Sequence, residues 1–434
     1  RYEEQKASES HGDIIVWPLK VVTDYLEQTA DYSILATEIP YTSRKDNHKT
    51  KETASLFEHL KKEINYIEQH FLPETFLSCY GDGDWDDTLQ PYDNRLKEQM
   101  ASSWTVALTY QVLKKFAALI TEIDATYSQH LAILVAGIKN DFQKYMLADE
   151  TIPGFIYMET PETFEQMIHP NDQKTGIQYR LLPMTRSMLA ELLTPEQVSH
   201  HLEIIEKELT FPDGVRLMNK PANYRGGVST NFKRAEQAAN FGREIGLQYV
   251  HAHIRYTEAM AKIGQRDKTW QALMQINPVQ LKEGVHNAEL RQANAYFSSS
   301  DGDFKTRYES QENFGKLKDG SIGVKGGWRI YSSGPGIYLN QLITAVLGIR
   351  QKAQSVVFDP MLPEKLSGLT LTYQLFDKPV TYKFYPNQSA KIVIDGQEVP
   401  FKFEENPYRE GGMEVQKDEV LSLLNEASVI EIYH

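Results

Sequence analysis

The sequence predicts a mainly α-helical fold closed by a small antiparallel β domain. Apolar residues recur every three or four positions through the first four-fifths of the chain, and every second position after about Gln351. The balance of 41% hydrophobic and 24% charged residues over 434 positions is that of an ordinary globular protein. That length allows two or three domains of roughly 150 residues each.

The elements follow in order. Leu56, Leu60, Ile64, Ile67 and Phe71 fall on one helix face, and Pro73 stops that helix. Val106, Val112, Phe116 and Leu119 continue the period, as do Ile133, Leu134, Ile138, Phe142 and Tyr145. Further helices are expected over 185–193, 196–208, 235–263 and 336–347, with Gly348 placed to end the last. Helices stacked in pairs suggest a toroid or bundle. The connections are long and rich in Gly, Pro, Asp and Asn, the kind that carry function in a compact domain. In the tail, residues 369–376 and 380–385 alternate strictly, and 391–394 lead into Asp395-Gly396, a hairpin signal.

Charge and cysteine narrow the function. Acidic residues outnumber basic ones by 59 − 46 = 13, a field that repels nucleic acid and anionic membranes. The longest apolar or small run, 131–138, is far short of the roughly 20 residues of a membrane span. Cys79 stands alone, so neither an intrachain disulfide nor a thiolate metal cage forms, and a reducing, cytoplasmic compartment fits. The chain opens on Arg1 without a leader, as an internal start would.

Three segments have the residues for chemistry. Residues 81–91 place Asp82, Asp84, Asp86 and Asp87 around Trp85. Carboxylates this crowded repel, so one of them should hold its proton more tightly than a free Asp, as a general acid must near neutral pH. The indole offers a flat face to the C–H bonds of a sugar ring. A calcium loop on Asp82, Asp84 and Asp86 would want Gly at Asp87 and Glu at Asp93. A solvated acidic loop is the plain reading.

The second segment runs from Arg243 and Glu244 to His251 and His253. Histidines at i and i+2 face different sides of a helix, which argues against joint metal ligation. One of them could hold an anion, or both could satisfy core polar groups. The third, residues 326–336, precedes a helix, where backbone N–H groups and Ser hydroxyls make an anion site. It lacks the Lys and the strand of a P-loop, and a plain Gly-rich turn is its other reading. Tyr224-Arg225-Gly226-Gly227 is a similar polar loop.

In this order the segments resemble the inverting disaccharide and oligosaccharide phosphorylases related to cellobiose and chitobiose phosphorylase, glycoside hydrolase family 94. There, the last Asp of an Asp-Trp-Asn-Asp motif is the general acid, and it matches Asp87. Asp84 and Trp85 fill the preceding places, and Asp86 replaces the Asn. The family's Glu-Asn-Gly-Gly-(three residues)-His segment falls on 244–251 and its Thr-Gly phosphate pair on Ser333-Gly334. The stretches beginning at Leu182, Pro212, Asn223 and Arg234 resemble the members acting on β-1,2-glucan. The C-terminal part of cyclic β-1,2-glucan synthases is similar over the same stretches. Together these cover most of residues 10–350, and the β tail matches only in character.

The resemblance implies that residues 1–350 are the larger, C-terminal part of an (α/α)6-barrel catalytic domain and that 351–434 form a small antiparallel β-sandwich. Such proteins are longer, so an upstream part of the same polypeptide is expected. The implied reaction is reversible, inverting phosphorolysis of β-1,2-linked glucooligosaccharides to α-D-glucose 1-phosphate. Asp87 is then the acid, with Trp85, Asp84, Glu244, Tyr224 and Arg225 on the sugar and His251, Ser333 and Gly334 on phosphate. Inorganic phosphate is a co-substrate, and no cofactor or metal is implied. An inverting hydrolase would need a second carboxylate, for which Asp13 or Glu236 would be proposed. A chain-length-control module of a membrane-bound glucan synthase is a further reading.

Overall fold

The computed structural model describes residues 11–43, 45–46, 48–242, 245, 248–277, 281–290, 299–326 and 333–434. The chain divides into two compact units, Arg1–Ala190 with Pro221–Ala239, and Glu191–Lys220 with Asn240–His434.

The first unit is built around the helix Ser103–Leu119, which packs against Val16–Thr29, Ala125–Asp141 and Leu181–Leu189. Its apolar residues run round the cylinder rather than along one stripe, with Trp104, Val106, Leu108, Tyr110, Leu113 and Phe116 all buried. Residues 103–110 are buried on every side, so this half of the helix is central, while Lys114 and Ala118 reach solvent further along. Side-chain caps start two of these helices and the helix Leu56–Gln69. Ser55 accepts from the Glu58 N–H, Ser102 from Thr105 and Asp124 from Tyr127.

The expected face of the Leu56–Gln69 helix is present, with Leu60, Ile64 and Ile67 buried. Phe71 lies past its end. Ile133 departs from the expected pattern. It is exposed on the outer side of Ala125–Asp141, whereas Leu134, Ile138, Phe142 and Tyr145 are buried. A three-stranded antiparallel sheet, Met100–Ser102, Phe155–Thr160 and Thr163–Met167, completes the support of the central helix.

In the second unit, Val250–Lys262 packs against Arg266–Gln275 and Ser333–Gln341. The continuous helix expected over 235–263 is not formed. A short helix, Lys233–Gln237, stops where Ala238 turns extended, and Gln248–Tyr249 pairs instead with the strand Ser299–Gly302. Phe241 packs edge-on against Phe304, 4.9 Å between ring centroids. Tertiary partners override the local period here. The helix expected over 336–347 begins earlier, at Ser333, and continues as a wide turn over Leu342–Val346. Gly348 then ends it at φ +65°, where a Cβ would lie 2.1 Å from the Asp359 carbonyl carbon.

The tail forms two sheets. One is antiparallel, in the order Ile349–Gln351, Ser355–Phe358, Met413–Gln416, Lys402–Phe403. The other orders Leu369–Leu375, Lys378–Tyr385, Ser428–Tyr433, Lys391–Ile394, Gln397–Val399. Asp395 and Gly396, both at positive φ, make the expected hairpin turn. One pairing corrects the antiparallel expectation. Lys378–Tyr385 and Ser428–Tyr433 run parallel, Val380 beside Ser428 through Tyr385 beside Tyr433. Val356, Phe358 and Val415 of the first sheet share one buried cluster with Tyr382, Phe384, Ile392 and Ile432 of the second. No helix among the described residues is long and apolar enough to cross a membrane.

Candidate active site

In the first unit the acidic loop is tied down from both sides. The Tyr80 N–H donates to the Met100 carbonyl and the Gly81 N–H to that of Lys97, while the Gly12 N–H donates to Tyr80 and Gly83. Gly12 is required there, since a Cβ would sit 2.5 Å from the Tyr80 oxygen. Within this frame the four carboxylates are separated rather than pooled.

Asp84 is fully buried, and Arg180 donates to both of its oxygens at 3.0 Å. Ser102 Oγ donates to Oδ2 at 2.7 Å and the Asp86 N–H to Oδ1 at 2.9 Å. Asp86, also buried, accepts from the Thr88 N–H and hydroxyl and lies 3.7 Å from Arg180. Asp82 pairs with Lys97. Asp87 alone is open, its side chain 47% exposed, with His11 Nδ1 at 3.9 Å and Arg234 at 3.6 Å.

Asp82 pairs with Lys97 whereas Asp84 and Asp86 share Arg180, so the three do not face one common centre. Asp84, expected on the sugar, is buried with its oxygens on Arg180, Ser102 and the Asp86 N–H. Beside the loop, burial and the neighbouring Asp84 push the Asp13 carboxyl up to about 6. Asp13 accepts from Trp17 Nε1 at 2.9 Å.

Trp85 is half-buried and stacks on Trp104, 6.3 Å between centroids at 28°. Tyr224 is half-buried and Arg225 exposed in the same unit. Glu236 accepts three backbone N–H groups, from Thr230, Asn231 and Phe232, at 2.5–3.3 Å. That carboxylate fastens its own loop.

In the second unit, His251 lies in the first turn of Val250–Lys262, 7% exposed, and burial with the nearby Arg255 pushes it down to about 4. It is therefore neutral near pH 7. His253 is a core residue. Its Nδ1 accepts from the Val215 N–H at 2.9 Å and its Nε2–H donates to the Ala272 carbonyl at 2.7 Å. Ser333 opens the helix Ser333–Gln341, so the Gly334 N–H belongs to a first turn, where amides have no intrahelical acceptor. Ile337 and Tyr338 of that helix pack on Val250 and Ile254, which joins the two helices that bear the phosphate candidates. Glu244 and the Ser333 side chain lie outside the described residues.

Arg180, His11 and Arg234 escaped the sequence reading as site residues. Arg180 stands 96 positions from the Asp84 it holds, and no local spacing announces such a partner.

Residues 2–305 match the catalytic domain of the glycosyl hydrolase 94 superfamily, and residues 348–433 match a glycoside phosphorylase C-terminal domain. The chain is 51% identical over 430 residues to the 1,2-beta-oligoglucan phosphorylase of Listeria innocua, covering 99% of this chain and 39% of that protein. It is 22% identical to the cyclic beta-(1,2)-glucan synthase of Rhizobium meliloti over 82% of this chain and 12% of that protein. It is 24% identical to the solabiose phosphorylase of Paenibacillus borealis over 49% of this chain and 26% of that protein. The chain thus spans about two fifths or less of the length of these relatives.

Proposed function

The chain belongs to the glycosyl hydrolase 94 superfamily, and from that premise we propose that it contributes the acid and phosphate residues of an inverting β-1,2-glucooligosaccharide phosphorylase. The observation that carries this is the isolation of Asp87. Of the four loop carboxylates it is the most exposed, at 47% against 18% for Asp82 and none for Asp84 and Asp86. The 51% identity to an oligoglucan phosphorylase supports the substrate.

Asp87 protonates the glycosidic oxygen while phosphate attacks the anomeric carbon from the opposite face, releasing α-D-glucose 1-phosphate and a chain one glucose shorter. Phosphate is already an anionic nucleophile, so a second carboxylate to activate water is not needed. A neutral His251 contributes an N–H donor, and the Ser333 hydroxyl and Gly334 N–H complete the phosphate set. Trp85 is the platform for the donor glucose, with Glu244, Tyr224 and Arg225 on the sugar chain. Asp84 serves by fixing the loop.

The same reading makes 1–350 the larger part of an (α/α)6 barrel and 351–434 a β-sandwich, with the missing donor-site residues upstream in the same polypeptide. The compartment is cytoplasmic. Against a hydrolase, both proposed bases are engaged elsewhere. Asp13 is buried on Trp17, and Glu236 is held by three backbone amides.

The test is incubation of the longest available polypeptide with a short β-1,2-glucan, with and without inorganic phosphate. Phosphate-dependent glucose 1-phosphate supports the proposal. Free glucose formed without phosphate makes the protein a hydrolase, and no turnover points to a binding module.

A further inference from the structure

Behind Trp85 stands a column of aromatic rings with a polar anchor at each side. Trp104, 3% exposed, lies 6.3 Å from Trp85 at 28° and 6.1 Å from Trp17 at 42°. The Trp17 indole N–H is held by the buried Asp13 carboxyl at 2.9 Å. The guanidinium of Arg186, itself buried, sits 5.8 Å over the Trp104 ring and donates to Gln111 at 2.9 Å. An apolar core alone would not need this. Burying a carboxyl and a guanidinium is costly, and apolar side chains of similar volume would fill the space without that cost. What the polar anchors add is direction, because an indole N–H bonded at one atom cannot rotate freely about the ring normal.

We propose that Trp104 is a positioning residue that fixes the tilt of the Trp85 ring for the donor sugar, and that Asp13, through Trp17, and Arg186 hold Trp104 in place. This rests on the reading of Trp85 as a sugar platform. A stacked sugar contacts a ring through several C–H groups at once, so a tilted or mobile ring loses most of them together.

The experiment titrates the protein with sophorose and reads binding by calorimetry and the coupled indole band by circular dichroism. The variants are Trp104→Leu, Trp104→Phe, Trp17→Phe and, as a control, Trp85→Ala. Trp104→Leu and Trp85→Ala should each remove the same dichroic couplet. Sophorose binding should weaken about three- to tenfold in Trp104→Leu, the scale of one aromatic pair, and less in Trp104→Phe, with phosphate affinity unchanged. Trp17→Phe keeps an aromatic ring at this place while the N–H is lost with part of the indole, so a weaker response there reports on the Asp13 anchor even where the leucine variant fails to fold. Wild-type affinity in a folded Trp104→Leu, or separate dichroic bands for Trp85 and Trp104, overturns the proposal and leaves the platform reading intact. Unchanged binding in Trp85→Ala, or no sophorose response in the wild type, removes the platform reading and the proposal with it.

Discussion

Arg180 places one guanidinium nitrogen 3.0 Å from each carboxylate oxygen of Asp84, and neither side chain has any exposed surface. Asp86 lies 3.7 Å away on the same nitrogen. A single buried cation therefore compensates two loop carboxylates, and it frees the next residue, Asp87, to face solvent.

Removing that cation leaves buried negative charge behind. Arg180→Met should destabilise the protein by about 3–5 kcal/mol in urea denaturation. Asp84→Asn in the same background should recover part of the loss, since the two changes share one interaction. Additive effects of the two substitutions would show that the pair is not the unit that holds the loop.

Asp87→Asn should behave in the opposite way. The side chain is 47% exposed and its basic neighbours, His11 and Arg234, stand beyond hydrogen-bond range. Stability should change by less than about 0.5 kcal/mol, as for other surface substitutions. Phosphorolysis should fall by about 10²–10⁴, the usual worth of a positioned general acid. Normal turnover in a variant that melts like the wild type would remove Asp87 from the mechanism.

Asp13 gives a dependence on pH whose sign is fixed by its shift. Its folded value is about 6 against an ordinary 3.8, because burial and Asp84 disfavour the carboxylate. Between those values the folded state binds the proton more tightly, so this group's contribution is lost as pH rises through 6. Asp13→Asn keeps an acceptor for Trp17 and cannot ionise. Relative to the wild type it should gain about 1–3 kcal/mol between pH 4 and pH 7.5, read by urea denaturation at both ends. A difference that stays constant with pH would contradict this.

Much of this was legible in the sequence, and the failures have a common cause. Leu60, Ile64 and Ile67 came from one helical period, and the turn at Asp395-Gly396 from two residues with a known backbone preference. The acidic loop was visible because its residues are adjacent. Which of its carboxylates stays open was not, since Arg180, Lys97 and Ser102 decide that and lie elsewhere in the chain. The broken helix over 235–263 has a matching origin. Periodicity counts apolar positions, and it does not register that Gln248 and Tyr249 find a strand partner in Ser299 and Ser300.

The buried histidines oppose Asp13. Burial pushes His201, His251 and His253 each down to about 4. The unfolded chain takes up their protons near 6.5, so the stability tied to these groups is complete above 6.5 and is lost as pH falls toward 4. At His253 the loss has a structural readout. Its Nδ1 accepts the Val215 N–H, and a protonated imidazole has two donors and no acceptor, so acidification must break that bond. Hydrogen exchange of the segment 210–216, corrected for the intrinsic pH dependence, should accelerate steeply between pH 6.5 and 4. Three histidines outweigh one carboxyl, so between pH 4 and 6.5 the stability tied to these four groups should rise with pH, and it should rise more steeply in Asp13→Asn, which lacks the opposing group. A slope that Asp13→Asn leaves unchanged would assign the dependence to other groups.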